Sequence, residues 1–107
     1  MSGIDDREKG FENKFAHDQE LEFKAVARRN KLLGLWAADL MGLDGEAAAE
    51  YAKTVIVADF EEVGDEDVFR KVRGDLDAKK VDLSDHLLRK QMEDLLAEAR
   101  LQVQNEG

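Results

Sequence analysis

The sequence predicts an all-α fold, a four-helix bundle with a long first helix and a mobile N-terminal extension. Proline is absent, and the commonest residue types, aspartate apart, are good helix formers. Apolar residues recur at steps of three and four, and glycines divide the chain into four such stretches. A chain of 107 residues has room for one modest core, which we place in residues 21–105, with residues 1–20 as a flexible arm.

The first helix is predicted to run from about Asp5 to Met41. Asp5 and Glu8 resemble a capping box with aspartate in place of serine or threonine. In the second half of this helix, apolar residues form one stripe that we expect to face the core. The stripe consists of Phe23, Val26, Leu33, Ala37 and Leu40, with Leu32 and Trp36 beside it.

Three shorter helices are expected to complete the bundle. Their predicted ranges are about Gly45–Val63, Glu66–Ala78 and from a Ser84 cap through Val103. Asp44, Asp65 and Ser84 occupy the positions expected of N-caps. Residues 55–57 are strand-prone, but the helical period extends on both sides of them, so we assign them to the second helix.

The predicted helix lengths do not match. A helix rises 1.5 Å per residue, so the first would be about 55 Å long, whereas the second and fourth would span about 30 Å. About twenty N-terminal residues then have little bundle surface to pack against. Phe11 and Phe15 would share one helix face there, and two aromatic rings can anchor a docking helix but cannot order an isolated arm. We therefore expect a segment that folds on binding another protein, while packing of the arm on its own bundle stays open as the other state of a switch.

The net charge argues against two classes of partner. The net charge is −9, from 16 basic and 25 acidic residues. Residues 1–31 contain seven basic and seven acidic side chains, so residues 32–107, with the remaining nine and eighteen, carry all the net charge. An acidic surface repels nucleic acids and anionic lipids, and we expect neither as a partner.

The sequence also predicts a location. Cysteine is absent, so disulfides and thiolate metal sites are excluded, and nothing points to an oxidising compartment. We find no signal-peptide apolar region and no run of about 18 apolar residues. We therefore expect a cytoplasmic protein that neither spans nor enters a membrane.

Several blocks of the sequence resemble a known family. Asp5 to Glu8 and Phe11 to Asp18 are similar to the start of the zeta inhibitor subunit of alphaproteobacterial F-type ATP synthases. Residues 27–38 (ARRNKLLGLWAA) and 64–71 (GDEDVFRK) resemble further blocks of the same family. The resemblance spans most of the chain.

The resemblance implies a non-catalytic inhibitor. Its N-terminal segment would enter an alpha/beta catalytic interface of the ATP synthase head and block ATP hydrolysis. The implied partners are the alpha, beta and gamma subunits, and the free protein would be a cytoplasmic monomer that becomes peripheral to the inner membrane through the synthase. The partner-binding positions carried over onto this sequence are Asp5, Arg7, Glu8, Phe11, Lys14, Phe15, His17 and Asp18.

Arg28, Arg29 and Lys31 form a basic cluster where the arm meets the body. Three interpretations are open: a solvated helix face, a secondary contact with an acidic patch on the ATPase, or a weak phosphate site. Weak nucleotide binding is associated with the family the chain resembles. Because the sequence has no glycine-rich phosphate loop, we assign no nucleotide-binding residues and expect no cofactor.

Other candidate sites are weak. The acidic clusters at residues 61–62 and 65–67 lack the ligand spacing of a calcium loop, so no metal site is expected. His86 is expected to face solvent and Trp36 to lie in the core. A bundle this small offers little room for a catalytic pocket, so we do not expect an enzyme. The alternative function is an autonomous bundle that binds a small ligand such as a nucleotide and has no inhibitory role.

Overall fold

A computed structural model describes the backbone of residues 2–59 and 64–106 and the side chains of residues 18–59 and 64–106. Within these residues the chain forms four α-helices and no strand. The helices are α1 (Ser2–Leu40), α2 (Gly45–Ala58), α3 (Glu66–Ala78) and α4 (Asp85–Glu106). The all-α class, the four helices and the long first helix are confirmed, while the mobility of residues 1–20 and their division from residues 21–105 stay predictions.

The predicted end of the second helix is wrong. The helix ends at Ala58, with Asp59 as its C-cap, and not at Val63. Residues 55–57 are all β-branched, and such residues lose side-chain freedom in a helix, so this turn has low intrinsic helix propensity. Gly64, which precedes α3, has φ of +100°, a left-handed conformation in which no helix continues.

Two helices end in Schellman motifs. After α1, Gly42 adopts φ of +80°, its N–H donates to Asp39 O, and the N–H of Leu43 donates to Ala38 O over 2.8 Å. After α3, Lys80 occupies the equivalent left-handed position with φ of 60°, and the N–H of Val81 donates to a carbonyl five residues back. Glycine is the usual residue there, so Lys80 is a strained choice.

The three predicted N-caps behave differently. The N–H of Leu87 donates to Ser84 Oγ over 3.1 Å, which confirms the side-chain cap of α4. Asp44 and Asp65 precede their helices as predicted, but neither side chain makes a cap hydrogen bond. The carboxylate of Asp65 instead accepts a hydrogen bond from Arg29.

One apolar core lies between the four helices. It contains Leu33, Ala37, Val55, Val68, Phe69, Val72, Leu76, Leu88 and Met92. The partly buried Trp36 packs against it, as predicted. A smaller cluster of Ala25, Ala99 and Val103 joins α1 to α4. Gly34 allows α1 and α2 to pack closely, since a Cβ there would lie 2.6 Å from the Cα of Ala52.

The predicted apolar stripe of the first helix is only partly correct. Leu33 and Ala37 are fully buried, but Phe23 is 66% exposed and Leu40 is 40% exposed. Leu40 is the last residue of α1. Phe23 lies at the rim of a small hollow that also borders Ile56 and Asp59, where α2 ends. Among the described helices, none is long and apolar enough to cross a membrane.

Candidate partner-binding site

The first helix is much longer than the body that it belongs to. It has 39 residues, which corresponds to about 58 Å, whereas α2, α3 and α4 have 14, 13 and 22 residues. The molecule measures 65 × 25 × 21 Å. The mismatch in helix length that the sequence predicted is therefore present.

Among the described side chains of α1, packing on the body begins at Leu21. Leu21 is partly buried and packs against the cluster formed by Ala25, Ala99 and Val103. The three residues before it, 18–20, are exposed. The 19 residues from Ser2 through residue 20 therefore form a helical segment of about 28 Å before the first described side chain that packs on the body.

Most of the predicted contact side chains lie outside the described residues. These are Asp5, Arg7, Glu8, Phe11, Lys14, Phe15 and His17, which belong to α1 but whose side chains are not described. Asp18 is exposed and borders an open groove of about 330 Å³ together with Leu21, Glu22, Arg100 and Gln104. Binding of a partner by these eight residues stays a prediction.

Two ion pairs join α1 to α4 where α1 enters the body. Glu22 accepts hydrogen bonds from Arg100 at 2.7 and 3.0 Å, and these bonds lower the pKa of the Glu22 carboxyl. Arg28 pairs with Glu106, with Nη2 and Oε2 2.9 Å apart, and lowers the pKa of that carboxyl in the same way. All four side chains are partly exposed, so these pairs fix the position of α4 on α1 more than they stabilise the fold.

The burial of Arg29 contradicts the interpretation of the basic cluster as a solvated helix face. Its side chain is only 1% exposed. Nε donates to Asn30 Oδ1 and Nη2 donates to Asp65 Oδ1, both over 2.7 Å. A buried guanidinium needs such partners, and Arg29 therefore ties α1 to the start of α3. It also explains why Asp65 does not cap its own helix.

The other members of that cluster behave differently. Arg28 is engaged with Glu106, and Lys31 is exposed. The three side chains thus have three separate environments and do not form one basic surface. A contact of Arg28 or Lys31 with the ATPase stays a prediction.

A small cavity of about 140 Å³ lies beside Arg29. Its other lining residues are Asp65, Arg89, Met92, Glu93 and Leu96. Arg89 donates to both carboxylate oxygens of Glu66 and lies 3.9 Å above the ring of Phe69. Both arginines beside the cavity are therefore already paired with a carboxylate.

A second polar cluster joins α2 to α3. Tyr51 Oη donates to Asp75 Oδ2 over 2.8 Å, and Lys71 Nζ donates to the same oxygen over 2.9 Å. Burial, followed by the hydrogen bond to Asp75, raises the pKa of Tyr51 above its usual range. Sequence reasoning missed this cluster, because its members are 24 and 4 residues apart and only the packing of two helices brings Tyr51 to Asp75.

The remaining candidates are His86 and the acidic clusters. His86 is exposed, as predicted. Within residues 18–59 and 64–106, no group of three His, Cys, Asp or Glu side chains could hold a metal ion. The expected lack of a metal site over the whole chain stays a prediction.

Comparisons with known proteins agree with the fold. A family model described as ATPase inhibitor subunit zeta matches residues 1–102. A protein whose structure was determined by solution NMR is 49% identical, with a TM-score of 0.72, and the match covers 81% of this chain and 99% of that one. No curated protein matches.

Proposed function

This chain belongs to the ATPase inhibitor subunit zeta family, and on that premise we propose that it blocks ATP hydrolysis by inserting residues 1–20 at an alpha/beta catalytic interface of an F-type ATP synthase. The observation that carries the proposal is the length of α1, which continues for about 28 Å before Leu21, its first described side chain in contact with the body. A helix of this length has backbone hydrogen bonds of its own and needs only a groove for its apolar side chains.

The inhibitory step would be steric. Catalytic interfaces in a rotary ATPase must open and close in turn, and a helix packed into one of them adds volume where the cycle needs contact. Phe11, Lys14, Phe15 and His17 would be the principal contacts, with the alpha, beta and gamma subunits as partners. No bond is made or broken by the inhibitor, so it would be neither an enzyme nor dependent on a cofactor.

The body would limit how far the arm enters. A single helix is about 10–12 Å in diameter, whereas the body is 25 × 21 Å across its short axes. The body therefore does not fit into a groove that admits α1 alone. It would remain on the outer surface of the ATPase, in the cytoplasm and peripheral to the inner membrane.

The alternative, a bundle that binds a small ligand, has less physical support. The cavity beside Arg29 is about 140 Å³, below the range of about 300–1,000 Å³ typical of ligand sites. The groove of about 330 Å³ beside Asp18 is within that range but is open, and its Glu22 and Arg100 are paired with each other. The two arginines beside the cavity are each paired with a carboxylate. A phosphate group would have to displace these carboxylates.

A titration of ATP hydrolysis tests the proposal. The full chain is added to the purified catalytic head, and in parallel a variant that lacks residues 1–19 is added. We expect inhibition by the full chain and none by the variant. Trp36 fluorescence provides the control, because the ring packs on the core and should show that the shortened protein is folded. Equal inhibition by both proteins, or by neither, would refute the proposal.

A further inference from the structure

Two ion pairs lie on opposite sides of the apolar seam that joins α1 to α4. The seam consists of the buried residues Ala25, Ala99 and Val103. In an α-helix each residue is rotated by about 100° from the one before it, so positions 22 and 28 lie about 60° to either side of position 25. Glu22 and Arg28 therefore flank the seam, one on each side.

The partners on α4 flank the seam in the same way. Positions 100 and 106 lie on opposite sides of the line through positions 99 and 103. Arg100 donates to both carboxylate oxygens of Glu22 over 2.7 and 3.0 Å, and Arg28 Nη2 donates to Glu106 Oε2 over 2.9 Å. A pair on one side alone would let α1 roll over the seam, whereas a pair on each side opposes rotation in both directions. We call these two pairs the α1–α4 clip.

The seam itself offers less resistance to rotation than the clip does. Interlocking ridges of side chains set the angle between packed helices, and alanine, which forms two of the three seam residues, makes only a shallow ridge. A bidentate pair between arginine and a carboxylate is directional as well as attractive. Because partly exposed pairs add little stability, the clip is better suited to fix the orientation of α1 on α4 than to hold the fold together.

The clip lies at the base of the arm, where small changes have large effects further along the helix. Glu22 follows Leu21, the first described side chain of α1 that packs on the body. About 28 Å of α1 precedes this point, so a tilt of about 10° at the clip would move the start of the helix by about 5 Å. Rotation of α1 about its own axis would likewise turn the whole arm relative to the body.

We propose that the α1–α4 clip positions the inhibitory arm by fixing its direction and rotation relative to the body. This inference rests on the proposed function. The body measures 25 × 21 Å across its short axes and would stay outside the groove that admits the arm. A seated arm therefore leaves the body against the ATPase surface, where only some orientations avoid a clash. A clip that holds one of these orientations before binding lowers the entropy lost in the complex.

Arg100 is then a positioning residue that acts through Glu22. Charge reversal in the full chain tests this role. Glu22→Arg and Arg100→Glu each place two like charges side by side, and the variant with both changes restores an attractive pair with the charges exchanged. We expect each single variant to raise the half-inhibitory concentration by about three- to tenfold, and the double variant to return it to within about twofold of the unaltered value.

Rescue in the double variant distinguishes positioning from direct contact with the ATPase. If Glu22 and Arg100 each bound the ATPase, the two losses would add, and the double variant would be the weakest inhibitor. That result would overturn the inference. Equal potency of the unaltered chain and all three variants would also overturn it.

A second bidentate pair provides the matched control. Arg89 donates to both oxygens of Glu66 over 3.0 and 3.3 Å, and its exposure is similar to that of the Glu22 pair, but it joins α3 to α4. Glu66 lies in the first turn of α3, where a negative charge is favoured, so Glu66→Arg should lower the unfolding midpoint at least as much as Glu22→Arg does. Its potency should not change. Equal loss of inhibition in both variants would show that the clip acts only through the stability of the bundle, and the inference would be wrong.

Distances between spin labels give a readout that needs no ATPase. The chain has no cysteine, so labels at introduced cysteines are specific. Gln19→Cys and Gly74→Cys place labels at exposed positions of α1 and α3. We expect one narrow distance distribution in the otherwise unaltered chain, a broader or shifted one after Arg100→Glu, and recovery when Glu22→Arg is added. An unchanged distribution after Arg100→Glu would overturn the inference even if potency falls.

Failure of this inference and failure of the proposed function are distinguishable. If the unaltered chain inhibits and the charge-reversed variants inhibit equally well, the positioning role is wrong and the arm remains the inhibitor. If the unaltered chain does not inhibit, the proposed function is wrong, and this inference falls with it.

Discussion

Replacement of Gly34 by alanine should destabilise the protein, although alanine is the better helix former. A Cβ at this position would lie 2.6 Å from the Cα and 3.0 Å from the Cβ of Ala52. Carbon atoms pack at about 3.5–4.0 Å, so α1 and α2 would have to separate by about 1 Å. The nearest atom belongs to the backbone, and no rotation of a side chain can relieve the overlap.

The magnitude follows from two opposing terms. Overpacking of a tight core costs up to about 3 kcal/mol, and alanine recovers about 1 kcal/mol of helix propensity. The net loss should be about 1–2 kcal/mol, which for a domain of this size corresponds to a fall in Tm of about 5–15 °C.

A second glycine provides the control. Gly74 lies within α3 and is exposed. A Cβ added there would meet no neighbouring atom within 4 Å. Gly74→Ala should therefore gain about 0.8–1 kcal/mol from helix propensity alone. Thermal and urea unfolding monitored by Trp36 fluorescence measure both variants. If Gly34→Ala stabilises the protein as much as Gly74→Ala does, the close contact between α1 and α2 is incorrect.

Three further predictions concern the ends and junctions of the helices. Lys80→Gly should stabilise the protein by about 0.5–1 kcal/mol in urea unfolding, because glycine adopts φ of 60° without strain; a loss of stability would contradict this. Asp65→Asn should destabilise the protein by about 1–3 kcal/mol, since the buried guanidinium of Arg29 keeps its charge and loses its carboxylate partner. An unchanged midpoint of urea unfolding would show that this pair has no role. Arg100 lowers the pKa of Glu22 below its ordinary 4.5, so the pair contributes stability above pH 4.5 that is lost as the pH falls through the lowered pKa. Arg100→Gln should therefore lose less stability than the unaltered protein between about pH 6 and pH 3, and parallel losses would count against the pair.

The features that depend on local signals were predictable from the sequence. The bounds of α3 were predicted correctly at both ends, and Ser84 caps α4 as expected. Both rest on interactions within four residues of the chain, where propensity and capping chemistry decide the outcome. The excess length of α1 was also predictable, because it needs only a count of residues between helix breakers.

The features that depend on tertiary packing were not predictable. Phe23 fits the period of the apolar stripe, but it is 66% exposed, because burial depends on which side chains of other helices reach a residue. Arg29 looks like a solvated surface residue until Asp65, 36 residues away, is placed beside it. Nothing in the sequence distinguishes Gly34 from a glycine that breaks a helix. Only the close approach of Ala52 explains why a glycine occupies this position.

The candidate site was predicted from the family resemblance more than from helix length and apolar periodicity. The pattern of Phe11 and Phe15 on an overlong helix indicated a docking segment, but it could not identify the partner. The family identifies an ATPase as the target, because its model matches residues 1–102. Composition and periodicity contain no information of this kind.

The most direct test of the account is the half-inhibitory concentration of the variant that combines Phe11→Ala and Phe15→Ala, measured by ATP hydrolysis with the cognate catalytic head. We expect it to rise at least about tenfold, because two large apolar side chains would lose their burial in the complex, while the midpoint of Trp36-monitored unfolding stays unchanged. A variant as potent as the unaltered protein would show that these rings do not anchor the arm.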